Sequence, residues 1–151
     1  MDLRLTWHKP VQLRKARAGS TFIYDLDLSN APSKPGVYIF MRRFGKRLSP
    51  LYVGKAGNLK VRMGQQLNAL RLMKGIQNAA IGSRAVVFGE FLARPGQKEG
   101  KCLLMIEKAL IRHFLLEGHE LLNVLGARIA TRHMVTSSKV TGYFIPNRIR
   151  F

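Results

Sequence analysis

Residues 36–59 read Gly36-Val37-Tyr38-Ile39-Phe40-Met41-Arg42-Arg43-Phe44-Gly45-Lys46-Arg47-Leu48-Ser49-Pro50-Leu51-Tyr52-Val53-Gly54-Lys55-Ala56-Gly57-Asn58-Leu59, and their pattern decides the fold. After the punctuation of Pro32, Ser33, Pro35 and Gly36, the run Val37 to Met41 is β-branched and aromatic, the composition that suits a pleated, half-buried strand. A basic turn from Gly45 to Pro50 leads into Leu51, Tyr52 and Val53, which reads as the return strand of an antiparallel hairpin.

Outward from the hairpin, Gly54 to Asn58 is a loop, and Leu59, Met63, Leu67 and Leu70 recur at helical spacing, predicting one helix over Leu59 to Met73 despite Gly64. Ala85 to Leu92 reads as a third strand and Pro95 to Gly100 as a turn. Lys101 to Leu116 reads as an apolar helix closed by Gly118. The order ββαβα predicts an α+β fold: a small three-stranded antiparallel sheet flanked by helices. The 151 residues suit one compact unit. Its expected parts are a basic N-terminal arm over 1–35, a central patterned domain over 36–125 and a basic extension over 126–151 packed on or beside it.

Charge is the compositional outlier. Lys and Arg number 26 against 8 Asp and Glu, a net +18, and no acidic residue lies between Asp27 and Glu90. A polyanion is the natural partner, because a cationic surface gains from Coulomb attraction and counterion release. Charge alone fits an anionic membrane equally well. No apolar run reaches the roughly 18 residues of a spanning helix, however, and no lipidation signal is present, so no membrane association is expected. Met1 to Ala18 is basic and polar without an apolar centre, and the single Cys102 precludes an intramolecular disulfide framework. The chain is read as intracellular and cytoplasmic.

Glu107 is the one acidic residue within the second helix. It shares a stripe with Leu103, Leu110 and Phe114 at steps of four and three, so its carboxylate should face inward. A buried carboxylate pairs with a cation, shifts its pKa or binds a metal; on the helix alone, an ion pair at the rim of the core is the simpler answer. Tyr38 and Tyr52 alternate with aliphatic neighbours, so both hydroxyls can share one sheet face, although strand tyrosines usually serve packing. A phenol with a pKa near 10 is only about 0.1% ionised at pH 7, so a tyrosine base needs nearby cations, for which Lys55 and Arg62 are candidates. His8, His113, His119 and His133 lack zinc-site spacing, and Cys102 on its apolar helix reads as a buried thiol.

The ordered set Gly36-Val37-Tyr38, Tyr52-Val53-Gly54-Lys55, Arg62 and Glu107 resembles the GIY-YIG nuclease superfamily over residues 36–123. The string Tyr52 to Leu59, with Arg62 just beyond, is similar to the excision-repair nuclease branch. The resemblance implies an endonuclease acting on DNA, with one Mg²⁺ or Mn²⁺ held by Glu107 at each active site. It also implies a tyrosine that deprotonates the attacking water. Tyr38 is the first choice of base, and Tyr52 can exchange roles with it. Arg62 would place its fork on the scissile phosphate. Asn123 after Leu121-Leu122 matches a Leu-Leu-Asn that often follows the glutamate helix, where its amide would fix the site's backbone; a loop-capping role is the alternative. Gly36, Gly54 and Asn58 complete the supporting set. Gln66 departs from the family pattern, standing where Tyr or His is common.

Arg42, Arg43, Lys46, Lys60, Arg71, Lys74, Arg128, Arg132 and Lys139 are the expected phosphate contacts, giving affinity rather than specificity. RNA is not excluded as a partner, and a homo-oligomer is possible if both strands are to be cut. The competing reading is a non-catalytic basic nucleic-acid-binding module on the same fold. A carboxylate at position 107 beside the phosphate path argues against it, since that charge repels the backbone without an intervening cation. An RNA-packing protein would explain +18 but not the ordered motif.

Overall fold

The computed structural model describes residues 2–123, 134–137, 145–146 and 148–150. The chain forms a mixed α+β fold around one twisted sheet of eight strands. Its centre is the expected trio. β4 (Gly36–Phe44) lies antiparallel between β5 (Arg47–Ala56) and β6 (Ser83–Phe91), pairing Tyr38 with Gly54 on one side and with Phe88 on the other.

The sheet is wider than three strands because the N-terminal third joins it. β1 (Asp2–Trp7) and β2 (Val11–Lys15) both pair with the free edge of β6, and β3 (Tyr24–Asp25) pairs with β2. Alternation explains this: Leu3, Leu5 and Trp7 are buried while Arg4 and Thr6 are exposed. β7 (Met134–Ser137) runs parallel to β1 and pairs with β8 (Arg148–Arg150).

Helices cover both faces. The helix predicted over Leu59 to Met73 is two: α1 (Leu59–Leu67) and α2 (Leu70–Gln77). They break at Asn68, whose side-chain amide turns back to the carbonyl of Gly64 at 3.0 Å. Asn competes well for local backbone groups, so it ends the helix before the apolar stripe does. The change of direction leaves Leu70, expected inside, 52% exposed, while Met73 and Ile76 enter the core. α3 (Glu99–Leu116) packs on the opposite face through Cys102, Leu103, Ile106, Leu110 and Phe114, and Gly118 follows it at φ 87°.

The two faces of β4 thus serve separate cores. Val37, Ile39 and Met41 meet α3, whereas Tyr38 and Phe40 meet α1 and α2. On β5 a bulge inserts Leu51 between Tyr52, opposite Phe40, and Pro50, opposite Met41. Leu51 therefore packs in the tyrosine core rather than with Val53, against simple alternation.

Candidate active site at the edge of β5

The tyrosines meet as parity requires. Tyr38 and Tyr52 stand with ring centroids 6.4 Å apart, and Phe40 lies 5.8 Å from Tyr38 and 6.3 Å from Tyr52. Tyr38 is 1% exposed, whereas Tyr52 is only partly buried. Gly54 makes room for this arrangement, because a Cβ there would overlap Cζ and Oη of Tyr38. Gly36 is required by another close approach: a Cβ there would strike the carbonyl oxygen of Gly89 on β6.

α1 closes over the pair. Asn58 caps the helix, its side-chain oxygen accepting from the Val61 N–H at 3.1 Å, which fixes the start of the turn that carries Arg62 and Gln66. Gln66 Nε2 donates to Tyr38 Oη at 2.6 Å. Arg62 is exposed, yet its charge reaches Tyr38, Tyr52 and Glu107.

Burial pushes the Tyr38 phenol up to about 12, against the downward pulls of Gln66 and Arg62; the charges of Tyr52 and Glu107 add to the rise. Tyr52 is raised as well, first by burial and then by Glu107, with Gln66 and Arg62 opposing. Glu107 comes from the other face of the sheet, on α3. Burial raises its carboxyl pKa, and Lys55, then Lys108 and Arg62, draw it back. Lys55 sits one residue beyond Gly54, with the parity of Val53, and so belongs to the α3 side.

Asn123 holds the edge of β5 in place. Its amide accepts from the Val53 N–H at 2.9 Å and donates to the Val53 carbonyl at 2.7 Å, while the Leu122 N–H donates to Leu51 at 2.7 Å. The segment thus supplies the hydrogen bonds a further strand would, and it brackets Tyr52 between two tethered residues.

Of the expected phosphate contacts, Arg43, Lys46, Arg71 and Lys74 are exposed, and Lys60 is partly buried. Arg42 donates to the carbonyl of Ile81. Arg128, Arg132 and Lys139, like His133, lie outside the described residues. Cys102 is a buried free thiol. The sequence reading passed over Arg84, which is 7% exposed and donates to the carbonyls of Ile76, Ala79, Ala80 and Gly82, each at 2.9 Å. It caps the C-terminal end of α2; its position near the start of a strand carried no signal of that role.

The fit of a metal rests on Glu107. Among the described residues, no hydrogen bond or ion pair takes its partly buried carboxylate, although three cations lie within electrostatic reach. A hard divalent cation suits a lone carboxylate that leaves most of the ion's coordination to water. No group of three or more His, Cys, Asp or Glu side chains among the described residues forms a metal cage.

Together the fold and site define an α+β domain with two tyrosines on adjacent strands, an arginine, and a carboxylate that has no hydrogen bond or ion pair among the described residues. Over 42 residues the chain is 55% identical to UvrABC system protein C of Aquifex aeolicus (strain VF5), covering 28% of this chain and 7% of that protein. Over 41 residues it is 51% identical to UvrABC system protein C of Petrotoga mobilis (strain DSM 10674 / SJ95), covering 27% and 7%. The likeness is therefore to a short segment of much longer proteins. No protein-family profile matches the chain, and no solved structure matches it. No helix among the described residues is long and apolar enough to cross a membrane.

Proposed function

We propose that the chain is a GIY-YIG-type DNA endonuclease that uses one Mg²⁺ or Mn²⁺, held by Glu107, to hydrolyse a phosphodiester bond. The observation that carries this reading is a carboxylate without a hydrogen bond or ion pair among the described residues, within electrostatic reach of two tyrosines and an arginine. The short likeness to UvrABC system protein C supports the nuclease class and DNA as the partner.

Tyr52, the more accessible tyrosine, is the base: its oxygen takes the proton of the attacking water. Tyr38, the first choice on sequence, is enclosed, and its hydroxyl accepts from Gln66, which leaves its own proton to be directed into the site. Arg62 sets its guanidinium on the scissile phosphate and favours the phenolate form of both tyrosines. Lys55 balances the charge of Glu107. A divalent ion held by Glu107 would supply charge neutralisation during phosphodiester cleavage. Asn123 keeps the β5 backbone, and with it Tyr52, in register.

One site cuts one strand per engagement, so nicking by a monomer is the expected product and a double-strand break needs a second copy. The test is cleavage of an end-labelled DNA duplex with Mg²⁺, Mn²⁺ or chelator, beside an RNA duplex of the same sequence. Metal-dependent cutting of DNA supports the proposal. Tight binding without cutting under every condition moves the chain to the non-catalytic class.

A further inference from the structure

The tip of the central hairpin has no role in the site just described. β4 and β5 are joined by a two-residue turn, Gly45-Lys46, with Gly45 at φ 60° and Phe44 paired to Arg47. Phe44 is 56% exposed. Arg43, Lys46 and Arg47 around it are exposed too, and Arg42 braces the ribbon through its bond to the Ile81 carbonyl. With no acidic residue between Asp27 and Glu90, nothing on the ribbon offsets these charges.

An exposed phenyl ring ringed by cations is matched to a partner that offers an apolar surface between anions, which stacked bases between phosphates provide. A lipid surface also offers both, but one ring and the neighbouring Ile81, 76% exposed, bury little area for an anchor. A two-stranded ribbon has the width that the major groove of B-form DNA admits, roughly 12 Å. Position adds a constraint. Phe44 has the same strand parity as Phe40, which pairs with Tyr52, and the four residue steps from Phe40 to Phe44 span about 13 Å. Along a B-form duplex this corresponds to about four base pairs.

We propose that the β4–β5 hairpin is a base-contacting finger. It enters the major groove of duplex DNA about four base pairs from the phosphate to be cut, with Phe44 against the base edges and Arg43, Lys46 and Arg47 on the flanking phosphates. This rests on the reading of DNA as substrate and extends it by assigning the contact that places the duplex over Tyr52.

The test uses the full chain with chelator present, so that binding is read without cutting. The only native tryptophan, Trp7, is 2% exposed, and Phe44→Trp adds a reporter at the tip. Duplex DNA should quench the introduced indole, while heparin, a polyanion without bases, and anionic phosphatidylserine vesicles should leave it unmoved. Wild-type emission should not change. Phe44→Ala should bind duplex about tenfold more weakly and heparin equally well, which also shows that the variant is folded. The proposal is overturned if the indole does not respond to duplex, responds equally to heparin, or shifts only with vesicles. It is also overturned if Phe44→Ala binds duplex as wild type does. Failure of the nuclease reading would show separately, as binding and quenching without metal-dependent cleavage.

Discussion

Gln66 Nε2 donates to Tyr38 Oη at 2.6 Å, so a neutral amide occupies the phenol that is buried most deeply among the described residues. The bond stabilises negative charge on that oxygen and opposes the rise to about 12 that burial imposes. Gln66→Leu keeps the volume and removes the donor. It should raise the Tyr38 pKa further and lower single-turnover cleavage about tenfold, the effect of one hydrogen bond of about 1.4 kcal/mol. Gln66→His, which restores a ring donor, should recover most of the rate. Ultraviolet titration of tyrosine ionisation beside cleavage kinetics checks both, and an unchanged rate in Gln66→Leu would remove Gln66 from the mechanism.

The pH profile follows from the raised phenols. Both tyrosine pKa values lie above the ordinary 10.0, so the phenolate is the minor form throughout the neutral range and grows about tenfold per pH unit. Cleavage under single-turnover conditions should rise steadily between about pH 6 and pH 9 with no plateau. Tyr52→Phe should flatten that slope and cost at least about 10²-fold in rate. A wild-type plateau near neutrality would sink the tyrosine as base.

Glu107 links the site to stability. Its carboxyl pKa is raised above the ordinary 4.5, chiefly by burial, so the folded state holds the proton more tightly than the unfolded chain. Stability from this group is present below that ordinary value and is lost as pH rises through the folded pKa, so the ionised carboxylate is a liability at neutral pH. Glu107→Gln should therefore melt about 2 °C or more above wild type at pH 8, with the gap closing as acid protonates Glu107. Mg²⁺ should raise the melting temperature of wild type and not of the variant. A variant that melts lower at pH 8 would contradict the assignment of an unpaired carboxylate.

Asn123 makes two hydrogen bonds to one residue of the edge strand. Asn123→Ala should cost roughly 1–3 kcal/mol in denaturant unfolding and lower cleavage more than DNA binding, since Tyr52 loses a tether while the cations stay in place. Asn123→Asp should be worse than Ala, because a carboxylate oxygen would face the Val53 carbonyl where the amide now donates. Equal cleavage by wild type and Asn123→Ala would show that the clamp is structural only.

The central hairpin, the third strand and the long final helix were legible because their signals are local: a β-rich run, a glycine-bearing turn and an apolar stripe at helical spacing. Tyr38, Tyr52, Arg62, Gln66 and Glu107 were named through a family-like motif, and the fold brings Arg62 and Glu107 within electrostatic reach of both tyrosines and Gln66 onto Tyr38. What escaped depends on contacts distant in sequence. Strands β1 and β2 are short, and their alternation is masked by flanking charges until the free edge of β6 offers them partners. The break at Asn68 came from a side chain competing for the backbone, which an apolar count does not see. Arg84 reads as one more surface cation until four carbonyls converge on it, and the difference between Tyr38 and Tyr52 in exposure comes from how α1 closes over the sheet.

The central claim is that Glu107 makes this site a metal-dependent nuclease, and nicking of supercoiled plasmid with and without Mg²⁺ tests it most directly. Wild type, Glu107→Ala and Tyr52→Phe should be compared at concentrations that give equal DNA binding. The expected result is nicking by wild type that requires the metal and is lost in both variants. Metal-independent nicking, or cutting by Glu107→Ala at the wild-type rate, would contradict the account.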